Sequence, residues 1–238
     1  MANEINILRD LKHKNHFQRL FEVYESTNFV HLVLENIEGE DLFSLLEKKG
    51  LFSEKEVAEI ILKLLIIVDL LHSNQIIHRD IKPENIYYIF ENNNVKLKLT
   101  EFGLSTKKID SKPELVRCGT PGFMAPEIFE KIGYDEKVDI FSIGILAYVL
   151  MTGSSPFVAK NHDDLIEQNK MCNLNFNPEK FEGRTIYSME FIKRLTMKDP
   201  KFRPSVKDCM KDLWFTVNHS DYKAVTKAAD KINKYVAE

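Results

Sequence analysis

Cysteine is scarce in this chain: Cys118, Cys172 and Cys209 are odd in number, far apart, and in neither a CxxC nor a His-paired spacing. Neither a disulfide framework nor a zinc site is indicated, and a reducing compartment, the cytoplasm or the nucleus, is the expectation. An excess of charge of one sign is also missing. The 33 Lys+Arg stand against 36 Asp+Glu, a formal net charge of −3. A nucleic-acid partner would show as a basic excess or stripe, so none is expected. Long apolar runs are lacking too. Val57–Leu71 carries Glu59, Lys63 and Asp69 inside it, and Ile140–Met151 is shorter still. Both fall short of the roughly 20 residues that cross a bilayer, and they read as buried helices of a globular lobe with no membrane role. No charged start, apolar middle and small-residue cleavage site opens the sequence, and no internal repeat or low-complexity linker interrupts it.

What is present is a chain of 238 residues, 44% hydrophobic, enough to bury a full core. Ile5, Leu8 and Leu11 recur at helical spacing over 3–11. Phe17–Tyr24 and Phe29–Glu35 alternate as strands around a Ser26-Thr27-Asn28 turn. Leu42, Phe43, Leu45 and Leu46 begin a short helix that Lys48, Lys49 and Gly50 end. Ser53 and Glu56 form a capping box at the start of a long helix, and Ser205 and Asp208 form another. Ile86–Phe90 and Val95–Leu99 flank a hairpin turn at Glu91–Asn94. Periodicity then lapses from Gly103 to Met124, and the remainder reads as helical to Phe215.

The string IIHRDIKPENIYY, Ile76–Tyr88, gathers a base, a cation and a metal ligand in one short loop. Asp80 suits proton abstraction from an attacking hydroxyl, Lys82 suits neutralising charge on a transferring phosphoryl, and Asn85 suits holding a metal ion against a nucleotide. Thr100-Glu101-Phe102-Gly103 follows, then Cys118-Gly119-Thr120-Pro121-Gly122-Phe123-Met124-Ala125-Pro126-Glu127. At these spacings the chain resembles the eukaryotic serine/threonine protein kinases, and its body looks most like their calcium/calmodulin-dependent group. Lys82 in its Lys-Pro-Glu-Asn setting carries the serine/threonine character.

The resemblance implies an α+β, protein-kinase-like fold. Residues 1–37 would be a partial amino-terminal lobe and hinge, 38–215 a mostly helical carboxy-terminal lobe, and 216–238 a helical extension. No Gly-x-Gly-x-x-Gly loop and no Val-Ala-Ile-Lys strand occurs in the sequence, so a partial lobe is the expectation. The resemblance further implies ATP and magnesium, with manganese as an alternative, and a protein substrate. Asp80, Lys82, Asn85 and Thr120 would be catalytic, and Asn85 and Glu101 would hold the metal. Glu4, Leu34, Glu35, Ile37, Asp41 and Tyr87 would surround the nucleotide: Glu4 as the helix carboxylate, Leu34 as gatekeeper, Glu35–Ile37 as hinge, Tyr87 beneath adenine. Leu8 would join the packed column behind Glu4. Glu127 would pair with Arg203, and Asp139 would anchor the catalytic-loop backbone.

Several alternatives stay open. Glu4 and Leu8 are commonplace on an amphipathic helix, and Asp41 serves equally as a helix cap. Glu101 stands where an Asp is usual, either an altered metal ligand or a solvated carboxylate. Arg79 implies an activation segment ordered by phosphorylation, yet Val116 holds the usual Thr position, leaving Ser105, Thr106 and Ser111 as the earlier hydroxyls. Tyr222, Val225, Ala229, Ile232 and Val236, flanked by lysines, form either a calmodulin-type target helix or a plain terminal helix. The rivals to an active kinase are a catalytically impaired, protein-binding pseudokinase and a fragment of a longer kinase.

Overall fold

The computed structural model describes residues 1–92, 94–108, 116–130 and 133–218. The apolar spacing at the start becomes helix α1, Ala2–Asp10, which buries Ile7 and Leu8. Strands β1, Leu20–Glu25, and β2, Val30–Leu34, pair antiparallel from Leu20↔Leu34 to Glu25↔Val30. The first strand starts later than its alternation predicts. Phe17 instead makes an isolated parallel bridge to Leu99, because its fully buried ring packs edge-on to Phe102 rather than joining the hairpin.

Helix α2, Leu42–Lys49, is capped by Asp41, and Gly50 ends it at φ 78, a left-handed angle that glycine adopts without strain. Helix α3, Glu54–Ser73, starts at the expected Ser53/Glu56 capping box, with both arms made. Glu54 is buried there among donors from two distant elements, accepting from Thr185 N–H at 2.7 Å and Trp214 Nε1 at 2.9 Å. A buried carboxylate needs such partners, and here they tie the start of α3 to the far end of the lobe.

Strand β3, Glu40–Asp41, joins β5, Ile86–Glu91, and β6, Asn94–Leu99, in one antiparallel sheet of order β3-β5-β6. The strands take in Glu91 and Asn94, one residue more at each side of the turn than expected. Strand β4, Ile76–Ile77, pairs with β7, Thr106–Lys107, inside the stretch that shows no periodicity, because two-residue strands leave none to detect.

Helix α4, Lys137–Thr152, is apolar nearly all round and buried on nearly every side, as a central helix must be. Helix α6, Ile186–Leu195, packs on α4, helices α7, Val206–Cys209, and α8, Leu213–Asn218, pack on α3, and α5, His162–Met171, packs on the 3-10 turn Pro126–Phe129. Gly144 lets α4 and α6 touch: a Cβ there would lie 2.7 Å from Thr196 Cγ2 and 2.9 Å from Leu195 Cβ.

Two sequence expectations need correction. The region after Met124 is not continuously helical, since 153–161 and 172–185 are largely loop with a short 3-10 turn at Pro178–Phe181. The second capping box is half made. Ser205 Oγ accepts from Asp208 N–H at 3.2 Å and donates its hydroxyl to the Asp208 carboxylate at 2.6 Å, without the close backbone contact that Glu56 makes to Ser53 N–H at 2.9 Å. Ser111 and the seam Tyr222–Val236 lie outside the described residues. The three cysteines are thiols in no disulfide, and burial pushes Cys172 up to about 11 and Cys209 up to about 12. Among the described residues no helix is long and apolar enough to cross a membrane.

Candidate active site

The catalytic-loop residues are placed by a carboxylate from the buried core. Asp139, fully buried on α4, accepts from the backbone N–H of His78 at 3.0 Å and of Arg79 at 2.9 Å. His72, at the end of α3, reaches the same carboxylate at 2.8 Å. Burial pushes the Asp139 carboxyl up, but the His72 hydrogen bond and charge, with the Arg79 N–H, outweigh it and leave it below the usual range. With two successive amides pinned, Arg79 is held at φ 70, a left-handed angle that a non-glycine residue keeps only when its surroundings over-determine it.

His78 is fully buried and neutral, its pKa lowered by burial against the opposing charge of Asp139. Asp80 N–H donates to His78 Nδ1 at 3.3 Å, so the ring proton sits on Nε2 and is donated to the Thr100 carbonyl at 2.9 Å. This one tautomer links the loop to the strand end that carries Glu101.

Around Asp80 the expected residues converge. Thr120 Oγ1 donates to Asp80 Oδ1 at 2.6 Å, and Lys82 Nζ donates to Thr120 Oγ1 at 2.9 Å while lying 3.5 Å from Asp80 Oδ2. Asn85 Nδ2 donates to the Asp80 carbonyl at 2.8 Å and to Asp80 Oδ2 at 3.0 Å. The carboxylate of Asp80 therefore has fixed direction. Gly119 makes the approach feasible: it sits at φ 124, and a Cβ there would come 2.9 Å from the Arg79 carbonyl.

Asn85 is buried and both its amide hydrogens point to Asp80, so its Oδ1 is left with no donor among the described residues. Glu101 is exposed, at φ 62 and ψ 69, directly before the short 3-10 turn Phe102–Leu104. No group of three or more acidic, His or Cys side chains forms a closed metal cage among the described residues. One amide oxygen and one carboxylate suit magnesium, which keeps waters and substrate phosphates as its remaining ligands. Glu4 faces the same turn, its carboxylate oxygens 3.7 and 3.8 Å from where a Cβ on Gly103 would stand.

The residues implied for nucleotide contact lie along the hinge and beneath it. Leu34 ends β2, partly buried against the core. Glu35 donates its N–H to the Arg19 carbonyl at 2.8 Å and accepts at its own carbonyl from Gln18 Nε2 at 3.1 Å. Its side chain turns to Lys98 and Arg19. The Ile37 carbonyl accepts from Gly39 N–H at 3.0 Å, and the Ile37 N–H has no acceptor among the described residues. Asp41 gives both oxygens to Ser44, at 2.9 Å to the N–H and 2.7 Å to the hydroxyl, so its helix-capping role is made. Tyr87 lies on β5 opposite Lys98 and Asp41. A groove of about 920 Å³ behind the hinge, between α3 and β6, contains none of Asp80, Asn85 or Glu101 and is not the catalytic cleft.

Past the cleft, Arg79 Nε donates to the Leu104 carbonyl at 2.6 Å and its Nη1 to the Tyr134 hydroxyl at 3.2 Å, and that hydroxyl in turn donates to the Val116 carbonyl. Glu127 and Arg203 form a buried bidentate pair, at 2.5 and 2.8 Å. The remaining guanidinium hydrogens go to the carbonyls of Met197, Lys137 and Lys198, and the group lies 4.9 Å from the Phe141 ring centroid. Sequence reading missed His72, Tyr134 and Asn169. Asn169 alone left a signal, falling four residues after Leu165 on the inward face of its helix.

Known proteins resemble this chain over nearly its whole length. The protein kinase domain family matches residues 1–215. A Dictyostelium discoideum protein named "Probable myosin light chain kinase" is 35% identical over 239 residues, 99% of this chain and 60% of that protein. A calcium/calmodulin-dependent protein kinase type 1 from Caenorhabditis elegans is 35% identical over 218 residues, 92% of this chain and 62% of its own length. Another of that name from Macrobrachium nipponense is 33% identical over 239 residues, 100% of this chain and 69% of its own length. The chain thus spans about three fifths of the length of the first two. On the residues matched, and on the constellation around Asp80, the chain belongs to the protein kinase family.

Proposed function

We propose that the protein transfers the γ-phosphoryl of ATP to a serine or threonine hydroxyl of a protein substrate. The observation that carries this reading is the cluster in which Thr120 Oγ1 stands 2.6 Å from Asp80 Oδ1 and 2.9 Å from Lys82 Nζ. Asp80 takes the proton as the acceptor oxygen bonds to the γ-phosphorus, and the bond to the ADP oxygen breaks with its electron pair going to ADP. Lys82 neutralises charge on the phosphoryl in transit. Asn85 Oδ1 and Glu101 would hold magnesium, whose part is to offset the negative charge of the phosphates. Leu34, Glu35, Ile37, Asp41, Tyr87 and Glu4 are assigned to the nucleotide, with the Ile37 N–H as the donor open to adenine.

A second reading, an impaired kinase that binds partners, is favoured by one observation: Glu101 replaces the usual Asp. Its extra methylene displaces the carboxylate by roughly 1 Å, enough to cost on the order of 10²-fold in rate. Its left-handed backbone also suits Asp better than Glu. Glu101→Asp is expected to raise magnesium-dependent transfer toward that factor and to narrow any preference for manganese, a less strict ion. Initial rates in each metal check it. A fall in both rate and nucleotide affinity would mean that Glu101 is an adapted ligand.

A calmodulin-type partner at Tyr222–Val236 is supported by the apolar seam with its lysines, and two of the relatives are named as calcium/calmodulin-dependent. A Ser220–Glu238 peptide titrated with calcium-loaded calmodulin should bind at or below tens of micromolar, about −6 kcal/mol. No binding at that concentration assigns the seam to packing on its own lobe. Thiols in no disulfide fit the cytoplasm or nucleus as the compartment, which microscopy of the tagged protein would test.

A further inference from the structure

A fully buried amide stands on α5 where the helix meets the segment Cys118–Glu127. Asn169 accepts from Gly122 N–H at its Oδ1, 2.9 Å away, and donates from Nδ2 to the Met124 carbonyl at 2.7 Å. An apolar side chain would fill this site without any polar requirement. An amide costs desolvation unless both ends are paired, and here both are. The carbonyl between them, Phe123, accepts from Ser142 Oγ of α4 at 2.9 Å. The N–H groups of Phe123 and Met124 return to the Thr120 carbonyl at 3.0 and 3.2 Å, and Thr120 is the residue that touches Asp80. A continuous run of bonds therefore leads from Asn169 through Gly122–Met124 and Thr120 to the base.

We propose that Asn169 is a positioning residue for the protein substrate. Its amide fixes the backbone of Gly122–Met124, so that the loop presents the acceptor segment to Asp80 in one geometry. This rests on the kinase reading above, in which Cys118–Glu127 is the substrate-docking loop. Asn169 has no hydrogen bond to the nucleotide residues or the metal-holding ones, so its effect falls on the substrate-facing loop and leaves ATP binding alone. Gly122 sits at φ 90 with only Leu165 near its open side, so without the amide nothing else among the described residues holds its N–H.

Two measurements test this on the whole protein. In the first, steady-state kinetics of Asn169→Leu should show KM for a serine peptide raised about 10-fold, the equivalent of two lost hydrogen bonds, with KM for ATP within about 2-fold. In the second, amide exchange of the Thr120–Met124 segment should quicken in the variant while that of the catalytic loop stays unchanged. Asn169→Asp serves if the Leu variant folds poorly: it keeps the acceptor for Gly122 and loses the donor to Met124. Its KM should approach that of the parent protein as pH falls and the buried acid regains a proton to donate. An unchanged peptide KM, or a loss confined to kcat or to ATP, overturns the proposal. Unchanged exchange at Thr120–Met124 overturns it as well. If the parent protein transfers no phosphoryl, the kinase reading fails, the substrate role falls with it, and the exchange result decides whether the clamp exists.

Discussion

Asp80→Asn is expected to lower phosphoryl transfer by about 10²- to 10⁴-fold, the usual worth of a positioned general base. The substitution keeps the shape of the side chain and removes its basicity. It also reverses one contact. Asp80 accepts from both Thr120 and Asn85, whereas an amide must turn its NH₂ toward one of them. That change is local and costs about 1 kcal/mol of stability. Nucleotide affinity should hold, since Asp80 is not among the residues assigned to the hinge or metal. Radiolabel transfer to a serine peptide, with ATP binding and thermal unfolding measured beside it, separates these outcomes. Undiminished transfer with intact binding would remove Asp80 from the mechanism.

Glu127→Gln should destabilise the fold far more than Asp80→Asn does, by about 3–5 kcal/mol, because it leaves the Arg203 guanidinium charged and buried without its counter-ion. Arg203 is fully buried and Glu127 nearly so. The three backbone carbonyls around Arg203 satisfy hydrogen bonds but not charge. Replacing both partners, Glu127→Leu with Arg203→Met, should destabilise by less than the single change, since no ion is then stranded. Urea unfolding of the parent protein and the two variants checks the ordering. If the double variant is less stable than Glu127→Gln, the carbonyl contacts made by Arg203, rather than the ion pair, hold this junction together.

The cluster around Asp80 was legible in the sequence because its members sit in short, rigidly spaced strings. Asp80, Lys82 and Asn85 lie within six positions of each other, and Thr120 comes within reach of them through a motif that carries its own glycine. The capping box at Ser53 was legible for the same reason: its two partners are three residues apart, and Glu has the length to close it.

What was hidden depends on long-range packing. Phe17 looked like a strand residue by alternation, but its ring is claimed by Phe102, 85 positions later in the chain. The β4–β7 pair leaves no period in a two-residue strand. His72 and Tyr134 act through partners 67 and 18 residues away respectively, and neither stands in a motif that names its partner. The placement of Glu101 was legible, but its left-handed backbone was not, since nothing local in Thr-Glu-Phe-Gly requires φ 62.

This site is proposed to move a phosphoryl group from ATP to a hydroxyl. That transfer is tested most directly by incubating the purified protein with γ-labelled ATP, magnesium or manganese, and a mixed protein substrate, followed by phosphoamino-acid analysis. The result expected is label on phosphoserine and phosphothreonine in at least one metal, absent with Asp80→Asn. No label in either metal, from protein shown to be folded and to bind ATP, would contradict it.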